Sequence, residues 1–168
     1  MATSVNGFPT LISGLPPLVD HGRSGLYFSL LQPLTGDPAG RDPKHGLSAF
    51  VNGTFGDPKT SMIENQVNVA LIQHGTFDWR PSDEVAIGYS ETHVNSRIAA
   101  AQTLANALGI GPGYVQHTES IVEAWYGVQV TGWMNIHLDF QWDINPGGYT
   151  SPTNRNAFLI GAKTAINF

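Results

Sequence analysis

The stretch WMNIHLDFQWDIN, residues 133–145, alternates apolar and polar side chains without a break. Successive side chains of a β-strand point to opposite faces, so this stretch predicts a strand with one apolar and one polar face. The apolar face would carry Met134, Ile136, Leu138, Phe140, Trp142 and Ile144. The polar face would carry Asn135, His137, Asp139, Gln141, Asp143 and Asn145. The apolar face meets a core in a soluble protein, and lipid in a membrane barrel with a wet lumen.

The composition indicates a protein whose outer surface is not mostly in water. Only 12% of the 168 residues are charged, about half the usual globular value of roughly 25%. The net charge is −5 and no cluster of Lys or Arg appears, which argues against a nucleic-acid or phosphate-binding surface. The chain has no cysteine, which excludes a disulfide framework, a thiolate nucleophile and a cysteine-based zinc site.

Period-two alternation recurs along the chain and predicts seven strands separated by turn-rich stretches. Their expected ranges are 25–34, 45–55, 64–75, 83–94, 118–130, 132–145 and 156–168. These strands are long enough for tilted membrane strands of about 9–11 residues. No stretch approaches the roughly 20 apolar residues of a membrane-spanning helix.

The connections between the predicted strands differ in length and character. The turn at 131–132 is tight, whereas 95–117 is long and contains SRIAAAQTLANALG, which predicts a short helix ending at Gly109. If the chain ends on the periplasmic side, the turns at 35–44, 76–82 and 131–132 are periplasmic. The loops at 56–63, 95–117 and 145–155 are then external. Residues 1–24 form a proline-rich, irregular N-terminal segment with at most one poor strand near Thr10–Ser13, and residues 25–168 form the barrel strands.

The inward-facing side chains of the last three strands are the candidate substrate-binding, pore-lining residues. They are Glu119, Glu123, Trp125, Gln129, Asn135, His137, Asp139, Gln141, Asp143 and Lys163. A compact core could not hold so many polar groups without partners, because each unsatisfied group costs a few kcal/mol. A water-filled lumen imposes no such cost.

The final stretch, NAFLIGAKTAINF, is an amphipathic strand whose apolar face ends on the last residue, Phe168. Such an ending looks like the assembly signal of bacterial outer-membrane barrels. Trp133, Trp142 and Phe158 also lie near predicted strand ends, where aromatic residues form interfacial girdles in such barrels.

Two tracts carry a family resemblance: TESIVEAWYGVQVTGWMNIHLDFQWDINPGG and NAFLIGAKTAINF. They resemble the C-terminal end of the carbohydrate-selective porin family, OprB type, and GLYFSLLQPL and GLSAFVNGTFGDP are similar to its upstream strands. The resemblance covers residues 23–168. It implies an all-β, antiparallel transmembrane β-barrel of sixteen strands, of which this chain would supply about seven. The N-terminal half, with elements that constrict the pore, would then lie outside this chain.

The resemblance also implies a function and partners. The protein would allow passive diffusion of monosaccharides such as glucose across the bacterial outer membrane, without catalysis or a cofactor. Its partners would be monosaccharides, outer-membrane lipid, and either the remaining barrel segment or further copies of the chain, but no nucleic acid.

Two other classes of protein fit parts of the pattern. A small eight-stranded outer-membrane barrel with a structural or adhesive role predicts a filled lumen and an ordered strand within residues 1–24. A soluble sugar-binding β-sandwich predicts an apolar face packed against a second sheet. The carboxylates Glu119, Glu123, Asp139 and Asp143 could form a hydrolytic pair, and His137 with Asp139 could bind a metal. Their regular spacing fits a lining better than an active site, so we expect no enzyme.

Overall fold

The computed structural model describes residues 4, 10–17, 19, 22–36 and 45–167. In chain order the elements are α1 (Thr10–Ser13), β1 (Gly25–Pro33), β2 (Gly46–Gly56), β3 (Ile63–His74), β4 (Glu84–Val94), α2 (Ser96–Ala107), β5 (Val115–Gln116), β6 (Thr118–Thr131), β7 (Met134–Ile144), a 3-10 turn (Pro146–Gly148), β8 (Tyr149–Ser151) and β9 (Ala157–Ile166).

The fold is dominated by one seven-stranded antiparallel sheet with the order β1-β2-β3-β4-β6-β7-β9. Each long strand therefore pairs with the next long strand in sequence, as successive hairpins do. All seven predicted strands are confirmed, with ends within a few residues of those expected. Among the described residues, β1 and β9 are the two edges, each paired on one side only.

The sheet exposes its apolar side chains and partly buries its polar ones. On β7, Leu138, Phe140 and Trp142 are 42, 45 and 48% exposed, whereas the alternating polar residues His137 and Asp139 are half-buried. The buried apolar residues among those described are Ala86, Ala99, Ala105 and Val115. No second sheet covers the apolar face in the described part of the chain, so the β-sandwich interpretation is wrong.

One end of the sheet, here called the turn end, carries the connections β3–β4 and β6–β7. The β6–β7 hairpin is tight, as predicted: β6 stops at Thr131 and β7 starts at Met134. The pairing shifts by one residue between Gln129 and Thr131, which is a β-bulge beside the turn. The opposite end, called the loop end, carries α2, β5, the 3-10 turn and β8.

The predicted helix in the longest loop is confirmed. Asn95 caps its start by accepting a hydrogen bond from the Arg97 backbone N–H at 2.9 Å. The helix ends before Gly109, whose φ of +72° is the left-handed conformation that glycine adopts easily. Neither helix in the described part of the chain has the length and apolar character of a membrane span.

The loop end is organised by a glutamine pair. The Gln116 backbone N–H donates to Gln102 Oε1 at 2.8 Å, and Gln102 Nε2 donates to Gln116 Oε1 at 3.1 Å. This fixes α2 to β5, and β5 pairs with β8 of the neighbouring loop. The loops 95–117 and 145–156 thus form one connected structure, called the loop layer.

The N-terminal segment differs from the expectation. Thr10–Ser13 is one turn of α-helix rather than a poor strand, because the Gly14 backbone N–H bonds to the Thr10 carbonyl at 3.0 Å and closes the turn. The strand within 1–24 that an eight-stranded barrel requires does not occur in the described residues of that segment. Phe168, residues 37–44 and most of 1–9 lie outside the described residues.

Candidate pore-lining face

The strand register brings all ten predicted site residues to one face of β6, β7 and β9. Across β6 and β7, Glu123 lies opposite Gln141 and Trp125 lies opposite Asp139. Across β7 and β9, His137 lies opposite Lys163. The remaining members share this face by alternation: Glu119, Gln129, Asn135 and Asp143. We call this side of the sheet the polar face.

The polar face continues across the earlier strands through a hydrogen-bonded chain that the site prediction did not include. Ser90 Oγ donates to Asn68 Oδ1 at 2.6 Å, Asn68 Nδ2 donates to Asn52 Oδ1 at 3.1 Å, and Asn52 Nδ2 donates to the Phe28 carbonyl at 2.9 Å. Alternation already predicts that Asn68 and Ser90 point inward. Their mutual contact depends on the register between strands, which a single sequence does not reveal.

Near the turn end, ionisable and aromatic side chains meet on the polar face. His74 Nδ1 lies 3.2 Å from Glu84 Oε2, and His137 Nε2 lies 3.9 Å from Glu84 Oε1. The His137 ring contacts the Trp125 ring with centroids 5.0 Å apart. Glu84 links β4 to β3 and β7 in this cluster, although it was absent from the predicted site, which was limited to the last three strands.

Some predicted site residues have structural roles. Glu119 Oε2 accepts a hydrogen bond from the Gly147 backbone N–H at 3.0 Å and so fixes the 3-10 turn. Gln129 Nε2 donates to the Thr131 carbonyl at 2.6 Å, and its Oε1 accepts from Asn135 Nδ2 at 3.2 Å, beside the bulge. In contrast, Asn135 Oδ1 and Asp143 Oδ1 are buried without a hydrogen-bond partner in the described residues.

A buried carboxylate fixes the β3–β4 turn to β6. Asp83, only 1% exposed, pairs with the Arg80 guanidinium and accepts hydrogen bonds from Tyr126 Oη at 2.5 Å and the Gln129 backbone N–H at 2.9 Å. Burial alone would raise the pKa of Asp83, but the hydrogen bonds from Arg80, Tyr126 and Gln129 outweigh it and lower the pKa. We call these four residues the Asp83 clamp.

The chemistry of the polar face suits neutral polar solutes. It combines carboxylates, amides, hydroxyls and aromatic rings, which together can accept and donate hydrogen bonds to hydroxyl groups. No group of three or more His, Asp or Glu side chains in the described part of the chain is arranged to hold a metal ion. The face carries chains of side-chain hydrogen bonds that cross from strand to strand.

These features define a class of protein. A long-stranded antiparallel sheet with an exposed apolar face and a polar face of hydrogen-bonding groups is the wall of an outer-membrane β-barrel channel. The family model of the carbohydrate-selective porins, OprB family, matches residues 2–168. The chain belongs to this family, whose members are channels of the bacterial outer membrane and not enzymes.

Relatives and solved structures agree with this assignment. Over 134 residues the chain is 35% identical to Porin B of Pseudomonas aeruginosa and 29% identical to the putative porin QuiX of Acinetobacter baylyi. These matches cover 76% and 74% of this chain, but 29% and 30% of the relatives. The chain therefore spans about a third of the length of the curated relatives it matches.

The structural match extends over nearly the whole chain. The high-pH structure of Pseudomonas putida OprB matches with a TM-score of 0.88 and 32% identity, covering 99% of this chain and 40% of that chain. The low-pH structure of the same protein matches with a TM-score of 0.55 and 25% identity, covering 84% of this chain and 36% of that chain. The seven-stranded sheet thus corresponds to part of a porin barrel.

Proposed function

We propose that this chain forms part of the wall of an outer-membrane channel through which monosaccharides such as glucose diffuse passively. The observation that carries the proposal is the separation of the two faces: exposed apolar side chains on one side and a continuous hydrogen-bonding surface on the other. The apolar side would contact lipid and the polar side would line a water-filled pore.

The polar face fits a neutral, hydroxyl-rich solute better than an anion. Four of the ten predicted lining residues are carboxylates and one is a lysine, so an anion would be repelled along β6 and β7. Sugars carry no charge and can exchange their hydration for hydrogen bonds to side chains along the wall. Diffusion along such a surface needs no cofactor and no covalent step.

Channel formation requires further strands beside β1 and β9. Unpaired backbone groups at a sheet edge are costly in lipid, so spanning sheets close into barrels. In this proposal the edges pair with the remaining barrel segment, in a single polypeptide or between chains, and outer-membrane lipid covers the apolar face. The match to the solved porin supports this arrangement, because it covers 99% of this chain but only 40% of that porin chain.

The test is reconstitution of the protein in planar lipid bilayers, with salt conductance measured as glucose is added. We expect discrete conductance steps that fall as glucose enters the pore, and swelling of liposomes loaded with the protein when they are placed in isotonic glucose. A barrel completed by its remaining strands that inserts in a folded form yet gives neither conductance nor swelling would refute the channel function.

A further inference from the structure

The polar face contains a depression of about 280 Å³ between β2 and β6. Its floor consists of Ala70 and Gly88, which lie directly opposite each other on β3 and β4. Phe50 continues the same row on β2, and Glu123 continues it on β6. Two small residues between two large ones leave a gap that spans three strand spacings, or roughly 14 Å, since neighbouring strands lie about 4.8 Å apart.

The depression arises from side-chain choice and not from crowding of the backbone. A Cβ atom on Gly88 would meet only the Val69 carbonyl oxygen at 3.4 Å and Ala70 Cβ at 3.5 Å, which are ordinary contacts. The backbone at Gly88 therefore accepts a larger residue without a clash. A large side chain here would fill the depression.

The rim of the depression offers hydrogen-bonding groups that the protein itself does not fully use. Asn68 Nδ2 has two N–H groups, and its bond to Asn52 uses one of them. Ser90 Oγ donates to Asn68 and keeps its lone pairs free to accept. The Glu123 carboxylate has no hydrogen bond or ion pair within the described ranges and can accept from two hydroxyls.

Aromatic rings complete the depression. Trp125 follows Glu123 by two positions on the same face, and its indole ring is held by the contact with His137. Phe50 lines the opposite side and is half-buried. A sugar ring has an apolar C–H face and a polar hydroxyl edge, so it matches an aromatic surface beside carboxylate and amide groups.

We propose that this depression is a binding subsite for one monosaccharide ring. The ring stacks against Trp125 or Phe50, and its hydroxyls bond to Glu123, Asn68 and Ser90. The volume of about 280 Å³ lies just below the roughly 300–1,000 Å³ of pockets for drug-sized ligands, so the depression has room for a single ring. The choice of a sugar rests on the proposed function, but the site itself lies within four neighbouring strands of this chain.

The experiment is a calorimetric titration of the detergent-folded protein with D-glucose. Gly88→Leu fills the floor, and Trp125→Ala removes the ring. Matched controls place similar changes away from the depression: Ala165→Leu adds a bulky side chain on β9, and Asp78→Asn neutralises an exposed carboxylate in the β3–β4 turn. We expect saturable binding that weakens about tenfold or more in Gly88→Leu, Trp125→Ala and Glu123→Gln, and less than about twofold in both controls.

The outcomes separate the subsite from the channel. The subsite is overturned if the unmodified protein shows no saturable binding of glucose, or if Gly88→Leu binds glucose with unchanged affinity. If glucose still crosses liposomes at equal rates in all variants, the channel stands without the subsite. If glucose binds as expected but no conductance occurs, the subsite stands and the channel function fails.

Discussion

At the scale of single residues, Asp83 shows how a turn is fixed to a barrel wall. Its carboxylate is almost fully buried and joins Arg80 of its own turn to Tyr126 and Gln129 of β6. A buried carboxylate is tolerated only when charge and hydrogen bonds compensate its desolvation. The Asp83 clamp meets this condition, so it holds the β3–β4 turn against β6.

Replacing this carboxylate should loosen the turn end. Asp83→Asn removes the charge that pairs with Arg80 and one of the acceptors that Tyr126 and Gln129 use. We expect a loss of about 1–3 kcal/mol in the free energy of unfolding, measured by urea titration of the folded form in detergent. Asp78→Asn in the same turn is the control, because Asp78 is exposed and has no such contacts. Equal losses in both variants would contradict the clamp.

The Asp83 clamp also predicts a dependence of stability on pH. The pKa of Asp83 is lowered in the folded state, so its contribution is fully present above the usual value of 3.8 and disappears as pH falls through the lower folded-state pKa. The urea midpoint of the unmodified protein should fall between about pH 5 and pH 2 by more than that of Asp83→Asn. Parallel pH profiles for the two proteins would show that Asp83 contributes nothing.

From the sequence, alternation predicts which face of the sheet a side chain lies on, but not which residues it contacts. It placed Glu123, Gln141 and Lys163 on the polar face, because side-chain direction depends only on position within a strand. It did not reveal that Glu119 and Gln129 serve as local hydrogen-bond partners, or that Glu84 meets two histidines. Those contacts depend on register and on loop geometry, which residues distant in sequence determine together.

At the scale of elements, β7 separates two environments within one strand. Phe140 and Gln141 are neighbours in sequence but point to opposite sides of the sheet. The alternation over 133–145 was therefore sufficient to predict both the strand and its faces. The two- and three-residue strands β5 and β8 were missed, because segments so short contain no measurable period.

Arginine substitutions at these neighbours should reveal which side meets lipid. Phe140→Arg would place a charge in the apolar layer and should cost about 2–4 kcal/mol if the position is near the bilayer centre. Gln141→Arg on the polar face should cost less than about 0.5 kcal/mol, as surface substitutions usually do. Folding yields into lipid vesicles, followed by urea unfolding, measure both. A larger cost for Gln141→Arg than for Phe140→Arg would show that the polar face, and not the apolar face, meets lipid.

The loop layer is a second element whose stability can be tested separately. Gln102→Ala removes both hydrogen bonds that join α2 to β5 and should increase amide exchange within 96–107 by about tenfold or more. Thr103→Ala is the control, because the Thr103 hydroxyl bonds only within its own helix, to the Ala99 carbonyl at 2.9 Å. Exchange in β6 and β7 should not change, and a general rise across the sheet would show that the loop layer supports the whole fold.

At the scale of the whole molecule, the sheet is a continuous wall with two edges. Every long strand from β2 to β7 pairs on both sides, while β1 and β9 pair on one side in the described part of the chain. The number of long strands was predictable, because each alternating segment is bounded by turn-rich sequence. How the sheet closes into a barrel was not predictable, because alternation within one strand does not specify the strands that pair with β1 and β9.

Amide exchange of the chain alone in detergent should report these edges. The backbone amides on the unpaired edges of β1 and β9 should exchange about a hundredfold or more faster than the amides of β3 and β4, which are paired on both sides. In a complete barrel the same edge amides should become protected, since no edge remains. Slow exchange at both edges in a single copy of the chain would mean that β1 pairs with β9.

The scarcity of buried apolar residues has a consequence for biogenesis. In water this sheet would gain little from hydrophobic burial, because the large apolar side chains of its strands are exposed on one face rather than packed in a core. The membrane supplies the missing apolar phase, so acquisition of tertiary structure and entry into the bilayer become a single event.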